Sequence, residues 1–167
     1  STIGGFYEGE LIGPAYGADY ILAKTENTDS ETQVEEDHWV AAAEWAETLG
    51  VDITSTSLGY IDFDDGSGYS PSELDGNTAV ITIAGDIAAG KGILVVNSAG
   101  NEGSGTTTIG APADGDSVLA VGAVYSDGIR TSFSSCGPTG DGRIKPEVMA
   151  MGSGVIVASP YGQYYST

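Results

Sequence analysis

The sequence predicts an α/β fold in which a mostly parallel sheet is flanked by helices. Short apolar runs of strand length recur along the chain, two longer segments with helical spacing lie between them, and glycines fall mostly between these segments. Continuously apolar strands joined by helical crossovers are typical of parallel sheets with both faces covered. We also expect one domain over residues 1–167, because a chain of this length buries a substantial core.

In the first half of the chain the pattern predicts a strand, a helix and a second strand. DYILAK, residues 19–24, is a short apolar run typical of a strand. Residues 36–49 carry apolar side chains near helical spacing, and Gly50 follows as a helix stop. The next strand is predicted in GVDITSTSLG, residues 50–59. The intervening helix is long enough for a crossover.

A second helix is predicted around Val80 to Ala88, where apolar residues recur at helical spacing before Gly90. Asp75 or Asn77 can cap its N-terminus, because both side chains accept hydrogen bonds from backbone N–H groups. The remaining strands and extended pieces are apolar runs, namely residues 92–100, 117–124, 143–150 and 154–160. The alternation of strands with helices supports a parallel sheet.

The charge of the chain is strongly negative and excludes one class of partner. It has 24 acidic and five basic residues, which give a net charge of −19. Phosphate binding requires clustered Lys and Arg, so we expect no nucleic-acid partner. No apolar run approaches the roughly 18 residues that a membrane helix needs, so we expect no membrane span. The acidic residues are expected to form a solvated surface.

We expect no cofactor, although one acidic loop leaves a calcium site open. Residues 62–76 are polar and turn-rich, which is typical of a long surface loop beside a site. Their DFDDGSG segment lacks the alternating ligands and the distant Glu of an EF-hand. GNEGSG, residues 100–105, lacks the spacing of a phosphate loop.

Two residues with reactive side chains are predicted to have no catalytic role. His38 is the only histidine and lies among charged residues at the start of a helical segment, where we expect it on the surface. Cys136 is the only cysteine, so it forms no internal disulfide. Its surroundings, FSSCGP, hold no histidine that would activate a thiol. The chemistry is therefore expected elsewhere.

Small residues follow two of the predicted strands at their carboxyl ends. STSLGY ends one strand and NSAGNEG ends another. Ligands of open α/β sheets bind beyond such strand ends, so we expect a shallow groove between these segments. Position alone leaves two interpretations of Asn101. It is either a turn former, because Asn tolerates left-handed backbone, or a side-chain donor to a developing oxyanion.

Four ordered segments resemble the central portion of a subtilisin-like serine peptidase, or subtilase. They are VDITSTSLGY, GILVVNSAGNEG, APADGDSVLAVGAV and FSSCGPTGDGRIKPEVMAMGSGV. The resemblance implies a three-layer subtilisin-like fold and a parent protein that hydrolyses polypeptides by nucleophilic acyl transfer. It also implies an extracellular or cell-surface location.

The resemblance implies roles for seven residues by their position in these segments. Asn101 matches the asparagine that donates to the oxyanion of the tetrahedral intermediate. The backbone of one segment lines one side of the groove for the residue before the scissile bond, and another segment lines the opposite side. These segments are Ser57, Leu58 and Gly59, and Ser98, Ala99 and Gly100.

The chain departs from the subtilase pattern in the residues that perform the chemistry. The family's Asp strand, HGT-type His motif and GTS-type Ser motif are missing from residues 1–167. The resemblance implies that the first two precede Ser1 and that the third follows Thr167. We therefore expect the central part of a catalytic domain, truncated at both ends and inactive alone. We also expect it to self-associate through uncovered apolar sheet surface, or to be partly disordered at both termini.

Two smaller departures concern a turn and a metal. Met151 occupies a place where the family often has proline. A calcium-binding loop of some subtilases is shortened here to EGELIG, so the resemblance does not extend to a calcium site at that loop.

Two alternative functions remain open at this stage. One is a non-catalytic subtilase relative that uses the groove to bind extended peptides. The other is a small-molecule or nucleotide-binding α/β domain that shares the sheet and not the chemistry.

Overall fold

The computed structural model describes residues 2–103, 105 and 107–158, together with the backbone of one further strand. The helices in this part of the chain are α1, Val34–Thr48, and α2, Val80–Gly90. The strands are β1 Phe6–Tyr7, β2 Leu11–Ile12, β3 Ile53–Thr56, β4 Leu94–Ser98, β5 Leu119–Val124, β6 Val148–Met151, β7 Ile156–Ala158 and β8 Tyr164–Ser166. None of the described helices is long and apolar enough to cross a membrane.

A four-stranded sheet in the order β3-β4-β5-β6 forms the centre of the fold, and every neighbouring pair is parallel. In its register Thr56 lies opposite Asn97, and Val121 lies opposite Val148. Helix α2 provides the crossover from β3 to β4. The predicted α/β fold with a mostly parallel sheet flanked by helices is therefore confirmed.

The core lies between the helices and one face of the sheet. Trp39 of α1, Ile81 of α2 and Val95 of β4 are buried together in it. Gly85 lets α2 approach the sheet, because a Cβ at this position would lie 3.0 Å from Cγ2 of Val118. Both helices that the spacing predicts therefore pack on this face.

The predicted stop of α1 is confirmed. Gly50 adopts φ +78°, a left-handed conformation that suits glycine. Its N–H donates to the carbonyl of Glu47 at 2.9 Å, and the N–H of Val51 donates to Ala46 at 3.4 Å. These two bonds satisfy carbonyls that the end of the helix leaves free.

The predicted cap of α2 is wrong. The helix starts after Ala79, which makes no side-chain capping bond. Asp75 instead accepts the N–H of Asn77 in a local turn at 2.8 Å. The N–H of Ile81, in the first turn of α2, donates instead to the buried carboxylate of Glu36, on α1, at 3.3 Å. Because Glu36 lies 45 residues from Ile81 along the chain, the local sequence pattern does not identify it as the cap.

The predicted strand at residues 19–24 is also wrong. These residues pair with no other described strand, and Leu22 is 87% exposed. A strand requires a neighbour for its backbone N–H and C=O groups, so an apolar run alone does not make one. The hairpin of β1 and β2 was not predicted, because its strands are only two residues long.

The expectation that both faces of the sheet are covered holds for one face only among the described residues. Alternation along the strands and the parallel register put Ile53, Leu94 and Val148 on the face opposite the helices. Their exposed fractions lie between 44% and 58%. This bare face, the side of the sheet that carries Ile53, Leu94 and Val148, is an apolar surface open to solvent.

We predict that acidification from pH 8 towards pH 5 stabilises the protein. Burial raises the pKa of the Glu36 and Asp114 carboxyls, and burial together with neighbouring carboxylates raises that of Glu31. A raised folded-state pKa means that the folded state binds more protons than the unfolded state in this range. The stability contributed by each group is thus present below its unfolded pKa and is lost as the pH rises through its folded pKa.

Thermal unfolding followed by circular dichroism between pH 5 and 8 measures this effect, and the melting temperature should be highest at the acid end. Glu36→Gln, which mimics the neutral carboxyl, should reduce the slope. Groups such as Asp141, whose pKa is lowered to about 2 by hydrogen bonds from Arg143 and Thr139, lose their contribution only at more acidic pH. A melting temperature that rises with pH over this range would contradict the prediction.

Candidate active-site groove

A cavity opens at the carboxyl ends of β3 and β4, where the sequence predicts a groove. It has a volume of about 370 Å³ and lies between two segments, the first wall (residues 57–59) and the second wall (residues 98–100). All seven predicted site residues line it, namely Ser57, Leu58, Gly59, Ser98, Ala99, Gly100 and Asn101. The parallel pairing of β3 with β4 brings the walls side by side, because both strands end at the same edge of the sheet.

A third segment, remote in sequence, lines the same cavity. The N–H of Tyr60 donates to the carbonyl of Ala111 at 2.8 Å, and the N–H of Ala111 donates back at 3.1 Å. This pairing places Gly110 at the cavity, where a Cβ would lie 3.2 Å from Cγ1 of Ile61. Local sequence patterns do not identify Gly110, because its position depends on a backbone pair that joins distant residues.

Ser135 anchors the second wall and the loop that follows it. Its N–H donates to the carbonyl of Gly100 at 3.0 Å, and its Oγ accepts the N–H of Glu102 at 2.9 Å. Gly100 has φ +108°, and a Cβ there would lie 2.8 Å from Oγ of Ser135. The backbone is therefore held on both sides of Asn101. Sequence reasoning missed Ser135, which is one of several serines in an unpatterned loop.

Asn101 is exposed at the mouth of the cavity. Gly100 and Gly103 take the left-handed positions of this loop, and Thr107 is the only non-glycine residue with positive φ among the described residues. Asn101 therefore does not use the left-handed backbone that would explain an asparagine as a turn former.

The cavity is electrically negative. Glu31, Asp62 and Glu102 come from separate segments and line it, and none of the described lining residues is Lys or Arg. Asp62 starts the loop that sequence reasoning placed beside a site. Burial, with repulsion from Glu26 and other nearby carboxylates, raises the pKa of Glu31. Such a lining favours a positively charged side chain over a negatively charged one.

One group of carboxylates has the spacing of a cation site. Oxygens of Glu26, Glu31 and Glu35 lie within 4.8 Å of one another. Hydrogen bonds within the chain already engage two of them. The Tyr60 hydroxyl donates to Glu26 at 2.5 Å, and the N–H groups of Asn27 and Thr32 donate to Glu35 at 3.2 Å each. These bonds hold the 26–35 segment together. The cluster is distinct from the DFDDGSG loop considered in the sequence.

His38 and Cys136 do not line the cavity. His38 is exposed on α1, and its Nδ1 lies 3.2 Å from the carbonyl of Thr25. Cys136 is partly buried, with its Sγ 3.7 Å from the carbonyl of Gly105. Neither residue is placed for acid–base or nucleophilic chemistry in the groove.

Together these features define a class, an α/β protein with a parallel sheet and a groove at the carboxyl ends of adjacent strands. A family model described as "Subtilase family" matches residues 1–167. The chain therefore belongs to the subtilase family.

Individual relatives agree with this assignment. Subtilisin DY of Bacillus licheniformis is 43% identical over 129 residues, which cover 76% of this chain and 40% of the relative. Serine protease AprX of Bacillus subtilis (strain 168) is 30% identical over 170 residues, which cover 93% of this chain and 36% of the relative. The chain thus spans less than half the length of these relatives.

Solved structures show the same fold. Sphericase is 27% identical, with a TM-score of 0.57 over 80% of this chain and 43% of that structure. The self-cleaved protease domain of PatA is 22% identical, with a TM-score of 0.68 over 98% of this chain and 56% of that structure. The latter supports the fold alone.

Proposed function

We propose that this chain is the central part of the catalytic domain of a serine endopeptidase and supplies its substrate groove and an oxyanion donor. The observation that carries the proposal is the convergence of all seven family-matched residues on one cavity. Membership of the subtilase family supplies the reaction class, peptide-bond hydrolysis by acyl transfer. Polypeptides are the substrates on this proposal.

The groove geometry supports a division of roles. An extended substrate lies between the first wall and the second wall, which both line the cavity. The side chain before the scissile bond enters the cavity near Gly110. Asn101 stands at the mouth, where its amide N–H donates to the oxygen that becomes negative in the tetrahedral intermediate.

The nucleophile and base of the reaction are proposed to come from outside residues 1–167. Acyl transfer needs an activated hydroxyl, a base that takes its proton and a group that orients the base. The single histidine, His38, does not line the groove. We therefore expect the 167-residue chain to be inactive alone. Calcium binding and an extracellular location remain proposals drawn from the family.

A fluorophosphonate probe tests the proposed function on the full-length protein. The probe should label one serine, and labelling should abolish casein hydrolysis. The 167-residue chain should hydrolyse casein no faster than a buffer blank. If the full-length protein is neither labelled nor active but binds extended peptides, the peptide-binding alternative replaces this proposal.

We further propose that the isolated chain self-associates through the bare face. What supports this is the exposure of Ile53, Leu94 and Val148 on one side of the sheet, since large apolar patches on monomers are uncommon. Light scattering should give a weight-average mass that rises with protein concentration. Leu94→Lys should restore a monomer, whereas Leu22→Lys, an apolar-to-charged change at an exposed position outside the sheet, should not. A concentration-independent monomer for the unmodified chain would overturn the proposal.

A further inference from the structure

We infer that Asn97 is a positioning residue that holds the two walls of the groove at a fixed separation. This inference rests on the proposed function for its meaning in catalysis. Asn97 lies on β4, one residue before the second wall, and is 1% exposed. It does not line the cavity itself.

A single side-chain amide joins both walls. Nδ2 of Asn97 donates to the carbonyl of Leu58, in the first wall, at 3.0 Å. The same nitrogen donates to the carbonyl of Ser98, in the second wall, at 2.8 Å. Both neighbours are carbonyl acceptors, so the nitrogen of the amide must face them. The two bonds fix where each wall leaves its strand.

The oxygen of the Asn97 amide argues against a role in stability alone. Oδ1 of Asn97 is buried and has no hydrogen-bond partner. A buried unsatisfied acceptor destabilises a protein, and an apolar side chain at the same place would avoid that cost. Val95, two residues earlier on the same face of β4, is such a side chain. The bonds of its nitrogen to both walls account for an amide at position 97.

The separation of the walls matters for the proposed reaction. The first wall continues from β3 beyond its pairing with β4, which ends at Thr56 and Asn97. No ladder bond between the two strands therefore extends into the walls. The bond from Asn97 to Leu58 connects the two segments just beyond the last ladder pair, Thr56 and Asn97. A substrate that lies between the walls binds with less ordering cost when they are already in place.

Hydrogen–deuterium exchange on the 167-residue chain tests the positioning directly. Asn97→Leu should raise exchange at least roughly tenfold in peptides that contain residues 57–59 and 98–100, since loss of one to two hydrogen bonds opens both walls. Thr54→Val is the matched control, because Oγ1 of Thr54 is also buried and unpartnered on the same face of the sheet. It should leave exchange in both walls unchanged. Asn97→Ala serves in place of Asn97→Leu if the latter does not fold.

Kinetics of the full-length protein supply the functional readout. Asn97→Leu should raise KM for a peptide substrate about tenfold, with kcat within about twofold, because the walls bind substrate and Asn97 touches no reacting atom. Thr54→Val should change neither constant. Unchanged wall exchange in the Asn97 variants, or equal effects in the control, would overturn the inference. An inactive unmodified protein would instead overturn the proposed function, and the exchange experiment would still decide the role of Asn97.

Discussion

Replacement of Asn101 by leucine in the full-length protein is expected to lower kcat by about 10²–10³-fold, which is the range known for loss of the equivalent asparagine donor in subtilisin. Leucine keeps the approximate shape of asparagine and removes its N–H donors. The oxyanion forms only on the way to the tetrahedral intermediate, so the loss should appear in kcat while KM changes little. Steady-state hydrolysis of a peptide substrate measures both constants.

Asn77→Leu provides the control for this experiment. Asn77 is also exposed and lies in a turn, but it does not line the cavity. Its replacement should leave both constants unchanged. If Asn101→Leu keeps full activity and only lowers the melting temperature, Asn101 is a turn residue and the oxyanion role is excluded.

Replacement of Asp114 by alanine is expected to lower the free energy of unfolding by about 3 kcal/mol. Asp114 is fully buried, and its carboxylate accepts bonds from the Thr82 hydroxyl at 2.6 Å and the Gly76 N–H at 2.9 Å. These bonds tie the end of the 62–76 loop to α2. Alanine leaves both donors buried without an acceptor, which costs more than the loss of the bonds alone.

Urea denaturation compares this variant with a neighbour of the same charge. Asp116→Ala removes the contact to Nη1 of Arg143 at 3.0 Å, but Asp116 is largely exposed. Its effect should stay within about 1 kcal/mol, as for other exposed ion pairs. Asp114→Asn, which keeps an acceptor oxygen, should lose less than Asp114→Ala. Equal losses for Asp114→Ala and Asp116→Ala would show that burial of Asp114 contributes little.

The parts of the fold that depend on local periodicity could be predicted from the sequence. Helical spacing identified both helices, and Gly50 marked the end of α1. Continuous apolar runs identified β4 and β5. The groove also followed from the sequence, because parallel strands that end in small residues must end at one edge.

The parts that depend on distant partners could not be predicted in this way. Residues 19–24 have the composition of a strand, and composition does not show whether a neighbour is present. In the sequence Glu36 is one of several acidic residues in a helical segment, and the pattern does not indicate that it caps α2. Ser135 and Asn97 secure the walls through bonds to segments that are distant in sequence or to carbonyls that no pattern singles out. Each of these features is set by tertiary contacts.

The cap of α2 by Glu36 has a consequence for how the protein unfolds. A helix capped by its own flanking residues can fray or re-form independently of its neighbours. Here the first turn of α2 loses its acceptor whenever α1 moves away, and the Tyr69 hydroxyl, which donates to the same carboxylate at 2.7 Å, loses its partner too. We therefore expect the two helices and the loop that carries Tyr69 to unfold together.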